Sequence, residues 1–565
     1  MKSRISLSLF LVLVVSMTGC DLFLGPRHTV TYDGNGALAG AVPIDEDTYR
    51  KGDTFTVMNP GTLAWNGYEF EGWSEDAGGS GALYDPGQVL EMGTEDKTLY
   101  ASWRSIPYSD LVSGSQVSLE RFNDTYIYAI VAAMPPDKPE SNNPPATQYD
   151  YALTTAAARS AGMSPASGIR SPAPSGRGSA LSARALMDLK NREMENRLLA
   201  SGARQVDGRS ASRAGSAPAS ISIGTAWNDV LISDTLSTVT PVDTNCRHIS
   251  SHAYIFVDNA DGTAMDAWLD EYGTAFDAIY HVNHEKFGFE NDTDENGKII
   301  LVFSSSIFTD FLGYFWSVDK FSYNNDLADP DYNPYSNEGD IFYLNTDYYA
   351  LGAPDSELLG TLAHEFQHMI YFDEHYDRGA SGSYSWLNEA LSMVAEYFND
   401  YQEGELDWIE SFLLDYGSEL SLTHWTPDNY GYGAIYMQYL LDRFGEDAVK
   451  EMCATDLIGI DAVEAATGMD FNELFTDFSR ALVMSGTGDS DDPRYEFLTL
   501  DLADVQPTGR GGLLPWDPAS PLESGDDDDY WVYAYSLEFS RWFGDFGTMK
   551  LSGADVTGTA FGLSR

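Results

Sequence analysis

Residues Glu357–Phe398 read ELLGTLAHEFQHMIYFDEHYDRGASGSYSWLNEALSMVAEYF. The first half sets His364, Glu365 and His368 in the order H-E-x-x-H. Leu358, Leu359, Leu362, Ala363, Phe366 and Met369 supply an apolar surface around them, which predicts a helix. Helical positions i and i+4 lie on one face about 6 Å apart, so the two imidazoles can reach one tetrahedral Zn²⁺. Glu365, beside the first imidazole, faces the position left open. There a carboxylate can take a proton from an attacking water and pass it to a leaving amine. A lone H-E-x-x-H also arises by chance on core helices, so the second half of the stretch decides. A site with two histidines needs a third protein ligand and one free position. A second helix is predicted over 383–398, beginning near Ser385, and it carries Glu389 a short connection beyond His368.

The run from Trp386 to Glu396, W-L-N-E-A-L-S-x-x-x-E, resembles the third-ligand helix of the gluzincins, the thermolysin and aminopeptidase class. The resemblance assigns Glu389 to the metal and leaves Glu396, two turns later on the same face, a supporting or structural part. Thermolysin-like enzymes carry an Asp four residues after this ligand; Met393 stands there in this chain, so the partner of the histidines stays open. Tyr430-Gly-Tyr-Gly433-Ala-Ile-Tyr-Met-Gln-Tyr439-Leu resembles the aminopeptidase pattern Y-x-x-G-x-x-x-x-x-Y-L. The leading Tyr of that pattern hydrogen-bonds the oxyanion of the tetrahedral intermediate. Tyr430 takes this part by position; Tyr432, Tyr436 and His424 are rivals, and core packing is the plain alternative for all four. The G-x-M-E-N loop by which aminopeptidases hold the substrate amine does not precede His364, and Met194-Glu-Asn196 lies far upstream. Endopeptidase chemistry is therefore expected.

The chain has 565 residues, too many for one ordinary domain. With 87 Asp+Glu against 32 Lys+Arg, it lacks the basic surface that phosphate neutralisation requires, which argues against a nucleic-acid partner. A solvated acidic exterior is the simplest reading. Of the three cysteines, Cys246 and Cys453 could pair in an oxidising compartment or remain buried thiols.

Residues 1–19 form an export signal: Lys2 and Arg4, then the apolar run Ile5–Thr18, too short to span a bilayer comfortably. Met17-Thr18-Gly19-Cys20 resembles the bacterial lipobox, which implies lipidation of Cys20, a tether over 20–27 and attachment to the membrane through acyl chains. Residues 28–104 alternate as short strands around Asp33-Gly-Asn-Gly36. Their pattern V-T-Y-x-x-N-G … G-Y-x-F-x-G-W … T-L-Y-A-x-W resembles the internalin-type B-repeat, which implies a small β-grasp-like module of bacterial surface proteins. A further β segment is predicted over 105–134. Residues 135–222, rich in Pro, Ser, Ala, Gly and Arg, have linker composition, with one short helix predicted inside them over 183–200.

A single catalytic unit is predicted over 223–485 and a β-rich region over 486–565. Within the former, Asp292, Asp294 and Asn296 with Gly297 copy the first half of an EF-hand loop and are the candidate Ca²⁺ ligands. The twelfth position is Phe303 rather than Glu, and a strand follows, so a tight acidic turn is the preferred reading. The D-x-D-x-N-G-K turn, Gly339–Leu344, H-E-F-Q-H-M, W-L-N-E-A-L-S and Y-G-x-G-A together resemble the hyicolysin family of secreted bacterial metallopeptidases. The resemblance spans roughly half of the chain. It implies an α+β zincin-like domain with a sheet subdomain and a helical subdomain. It also implies Zn²⁺ catalysis, broad proteolysis of protein and peptide substrates, and Ca²⁺ as a candidate stabilising ion. The expected protein is lipid-anchored to the cell envelope and faces the periplasm or the exterior. An adhesin with an idle zincin domain, or another zinc hydrolase on a gluzincin scaffold, is the alternative.

Overall fold

The computed structural model describes residues 25–561 except 38–39, 66–67, 79–80, 107, 119–125, 142–146, 158–166, 171–182, 204, 207–214, 234–238, 308–310, 416–419, 487–491, 503–520, 524–529 and 544–545. The expected export signal over residues 1–19 and Cys20 lie outside the described residues. The chain is mixed α/β with several sheets. It divides into two compact units, one ending at Ser109 and one beginning at Asp110.

In the first unit the strands run in the order Val30–Asp33, Lys97–Ser105, Tyr68–Ser74, Leu83–Tyr84. The first pair is parallel and the next two antiparallel. The alternation read around Tyr32 puts Val30, Tyr32, Phe55, Trp73, Leu99 and Ala101 into one core. The buried indole donates its N–H to Met58 O at 2.9 Å, so Trp73 leaves no polar group stranded. These aromatics are core residues.

The second unit is built on a sheet ordered Ala226–Ser233, Val239–Ile249, Ala253–Asp258, Ile299–Phe303, Ile341–Leu344, Gly313–Phe315. The three central strands from Ala253 onward are parallel to one another, and their near-continuous Ile, Val, Leu and Phe content fits burial on both faces. The last strand, Gly313–Phe315, is antiparallel to its neighbour. The helices Leu269–Lys286 and Ser356–Arg378 pack together beside this sheet through Phe276, Tyr280 and Phe366. Beyond them lie the helices Ser385–Phe398, Glu403–Asp415, Tyr430–Phe444 and Phe471–Met484. Gly431 is required where two of these meet: a Cβ there would lie 1.9 Å from Trp408 O.

Residues 135–222 are not linker throughout. They contain the strands Gln148–Ala157 and Ser167–Arg170 and the helix Ala183–Ser201. Nor do residues 486–565 stand apart. Gln148–Ala157 pairs with Tyr530–Tyr533 on one side and Phe546–Gly553 on the other. Tyr126–Ala133 pairs with Leu537–Phe543 and Val556–Phe561. Tyr151, Leu153, Val131, Val532 and Leu551 share a core between these sheets. The physical reason is a period-two alternation, Tyr149, Tyr151, Leu153, inside otherwise linker-like composition. Cys246 and Cys453 are buried free thiols.

Lys320 ties the sheet to the first site helix. Its side chain is fully buried, its ammonium contacts Asp340, and it reaches Asp373 Oδ2 at 2.6 Å and Asn291 O at 3.0 Å. Burial disfavours the cation, but the Asp340 and Asp373 charges overcome this and hold Lys320 well above the usual lysine range. The variant K320M would leave two buried carboxylates without their cation. It is expected to lose about 3–5 kcal/mol of stability, measured as a lower denaturant midpoint at unchanged slope. A loss below about 1 kcal/mol would refute this account.

Candidate metal centre

The helix Ser356–Arg378 starts on Asp355, whose side chain accepts from Leu358 N at 3.0 Å, and ends on the left-handed Gly379. That 23-residue helix presents His364, Glu365 and His368 together, each about 6% exposed. The next helix, Ser385–Phe398, packs against it and carries Glu389, 3% exposed. His364 Nε2 lies 3.3 Å and His368 Nε2 3.4 Å from the same oxygen, Glu389 Oε2. That oxygen is buried and accepts no hydrogen bond. A tetrahedral ion with bonds of about 2.0–2.1 Å has edges of about 3.3–3.4 Å between its ligand atoms. The donor set and its spacing therefore fit Zn²⁺. Burial works against a cationic imidazole at His364, but the Glu389 and Glu396 carboxylates beside it, with the Glu365 charge, push it up to about 10. Burial likewise opposes a charged Glu389, yet the two histidines hold it well below the usual carboxylate range.

The histidines are steadied from behind. His364 Nδ1 is 3.0 Å from Glu396 Oε1, so the carboxylate found at 396 does what a residue at Met393 would otherwise do. Gly360 makes room for it: a Cβ there would lie 3.0 Å from Glu396 Oε2. His368 Nδ1 is 2.9 Å from Ser392 Oγ, whose own hydrogen goes to Gln367 Oε1, leaving a lone pair for the imidazole N–H. The Asn388 amide lies 3.0 Å from the same Nδ1. Asn388 and Ser392 are supporting residues that the sequence reading missed. Their signal was present, since 388, 392 and 396 recur every four positions along one helix.

Glu365 is held by the edge strand, with Phe315 N donating to its Oε2 at 2.7 Å. Tyr430 starts the helix Tyr430–Phe444, and its ring lies 6.2 Å from that of His364. Tyr430 lines the cavities that also expose His364 and Glu365. Its rivals point elsewhere. Tyr432 donates to Tyr535 O at 3.2 Å, Tyr436 packs on Phe471 and Phe478, and His424 Nδ1 meets Ser421 Oγ at 3.1 Å. Trp408, Tyr348 and Met393 complete the wall beside the histidines.

The acidic turn groups Asp292 and Asp294 with Asp340, a residue the sequence reading did not include. Asn296 Oδ1 accepts from Lys298 N at 2.9 Å, and its amide donates to Asp294 Oδ2 at 2.6 Å, as in a closed turn. Burial, then the Asp340 charge, pushes Asp294 up to about 8. Phe303 is buried in its strand, so the last position of an EF-hand loop offers no ligand.

The profile of the Listeria-Bacteroides repeat domain matches residues 28–102, within the first unit. The chain is 29% identical over 248 residues to the neutral metalloprotease ShpI of Staphylococcus hyicus, a match covering 40% of this chain and 55% of that protein. Two proteins of Evansella cellulosilytica are also similar. One, provisionally named a Gly-rich membrane protein, is 37% identical over 115 residues, 20% of this chain and 13% of its own. The other, provisionally named a membrane protein, is 41% identical over 79 residues, 14% of this chain and 12% of its own. The chain thus spans 12% to 55% of the length of these relatives. They make it a metallopeptidase-related protein that carries a Listeria-Bacteroides repeat. Among the described residues, no helix is long and apolar enough to cross a membrane.

Proposed function

We propose that the chain is a zinc-dependent endopeptidase of the hyicolysin and gluzincin type, anchored by lipid at Cys20 and facing the periplasm or the exterior. The observation that carries this reading is the convergence of His364 Nε2 and His368 Nε2 on an unpartnered buried oxygen of Glu389 at 3.3 and 3.4 Å. Zinc held there would polarise the scissile carbonyl and make a bound water more acidic. Glu365, fixed by Phe315 N, takes the proton of the attacking water and returns it to the leaving amine. Tyr430 offers its hydroxyl to the oxygen that gains charge. Glu396 and Ser392 keep both imidazoles turned with Nε2 toward the ligand point. The repeat module and the lipid anchor are read as the means of presenting this site at a surface. Ca²⁺ at Asp292 and Asp294 is kept as a secondary assignment, with Asp340 added.

The test is metal analysis together with proteomic mapping of cleavage products, with and without chelator. One zinc per chain, internal cleavage of protein substrates, loss on chelation and return with zinc are expected. Zinc-loaded protein that cuts no protein or peptide would favour an adhesive protein with an idle site. Cleavage of esters or epoxides alone would assign a different hydrolase.

A further inference from the structure

The metal centre has a fourth wall that comes from the Arg-rich segment before the catalytic sheet. The helix Ala183–Ser201 carries Asn191, Arg192 and Glu195 to the site. Glu195 is 3% exposed, and its two oxygens tie separate walls together. Oε1 accepts from Ser383 Oγ at 2.8 Å, just before the Glu389 helix, and Oε2 accepts from Ser317 Oγ at 2.7 Å, just after the edge strand. Asn196 Oδ1 accepts from Ser383 N at 3.1 Å. Arg192 Nη1 donates to Glu195 Oε2 at 3.0 Å, and Arg192 Nη2 stands 3.7 Å from Glu389 Oε1, the oxygen turned away from the histidines. The helix itself is anchored: Leu198 is fully buried, and Arg197 donates to Tyr332 O at 2.5 Å.

From this geometry we infer that Arg192 is a positioning residue for the third metal ligand: its guanidinium, set by Glu195, fixes the plane of the Glu389 carboxylate so that Oε2 meets the two imidazoles. The need is physical. The terminal torsion of a glutamate is broad and two-fold, so its rotamer alone does not choose which oxygen faces the metal. A guanidinium is a rigid planar fork of donors and can hold one carboxylate while it pairs with another group. The residues before Ala226 are thus part of the metal centre. This inference rests on the zinc reading of the site.

The experiment compares R192M and R192K with the full chain, reading zinc affinity by competition with a chromophoric chelator and the melting midpoint of the zinc-free proteins. R192M keeps the apolar stem and its packing. It is expected to bind zinc about 10–100-fold more weakly, a loss beyond the fall in zinc-free midpoint that follows from leaving the buried Glu195 without its cation. R192K, which keeps the charge and loses the fork, is expected to fall between R192M and the parent. Parental zinc affinity in R192M would overturn the inference. So would equal losses of affinity and zinc-free midpoint in both variants, which would make Arg192 a packing residue. Failure of the zinc reading itself is separable: the parent chain would then bind no zinc that H364A abolishes, and the assignment of Arg192 would fall with it.

Discussion

E365Q is expected to retain one zinc per chain and to lower cleavage of a protein substrate by about 10²–10⁴-fold. Glutamine keeps the shape and one oxygen that can accept from Phe315 N, the partner of Glu365 Oε2 at 2.7 Å, so the fold and the metal ligands should be undisturbed. What it removes is the group that takes a proton from water and delivers it to the amine. The loss should appear in kcat, with zinc content from elemental analysis as the control. Full activity in E365Q would sink the assignment of the general base. A parent protein without activity would instead point to the adhesive reading.

E389A is expected to lose stoichiometric zinc and, with it, all chelator-sensitive cleavage. The remaining pair, His364 and His368, supplies two ligands where a catalytic zinc site uses three. Glu396 is the residue that could substitute, but its Oε1 is engaged by His364 Nδ1 at 3.0 Å, on the far side of the imidazole from the ligand point. If E389A retained one zinc per chain, Glu396 would become the ligand and the supporting role assigned to it would be wrong. The zinc-free midpoint of E389A should not fall sharply, because removing Glu389 also removes a buried carboxylate whose Oε2 accepts no hydrogen bond.

The candidate ligands were legible because they sit on two successive helices whose spacing is dictated by metal geometry. His364 and His368 are one turn apart, and Glu389 follows after a short connection. The rest was hidden for definable reasons. A carboxylate at 393 is only one way to steady an imidazole; any acceptor in reach will serve, and Ser392, Asn388 and Glu396 supply it instead. Arg192 and Glu195 were obscured by the composition around them, since a Pro-, Ser- and Arg-rich stretch reads as linker even when one helix inside it docks. The strand Gln148–Ala157 was lost for the same reason, although Tyr149, Tyr151 and Leu153 alternate as a half-buried strand should. Asp340 was missed because it approaches the Asp292 turn through tertiary packing, 46 residues from Asp294.

The pairing of Gln148–Ala157 with Phe546–Gly553 bears on the order in which this fold closes. Residues 152 and 552 are 400 positions apart, and the chain between them carries Arg192, the histidines, Glu389 and Tyr430. Contacts of such sequence separation form late and slowly, because the closure entropy comes before any reward. Both segments must be present before this sheet can form. The residues of the candidate metal centre therefore lie within one long loop whose ends are joined late in folding.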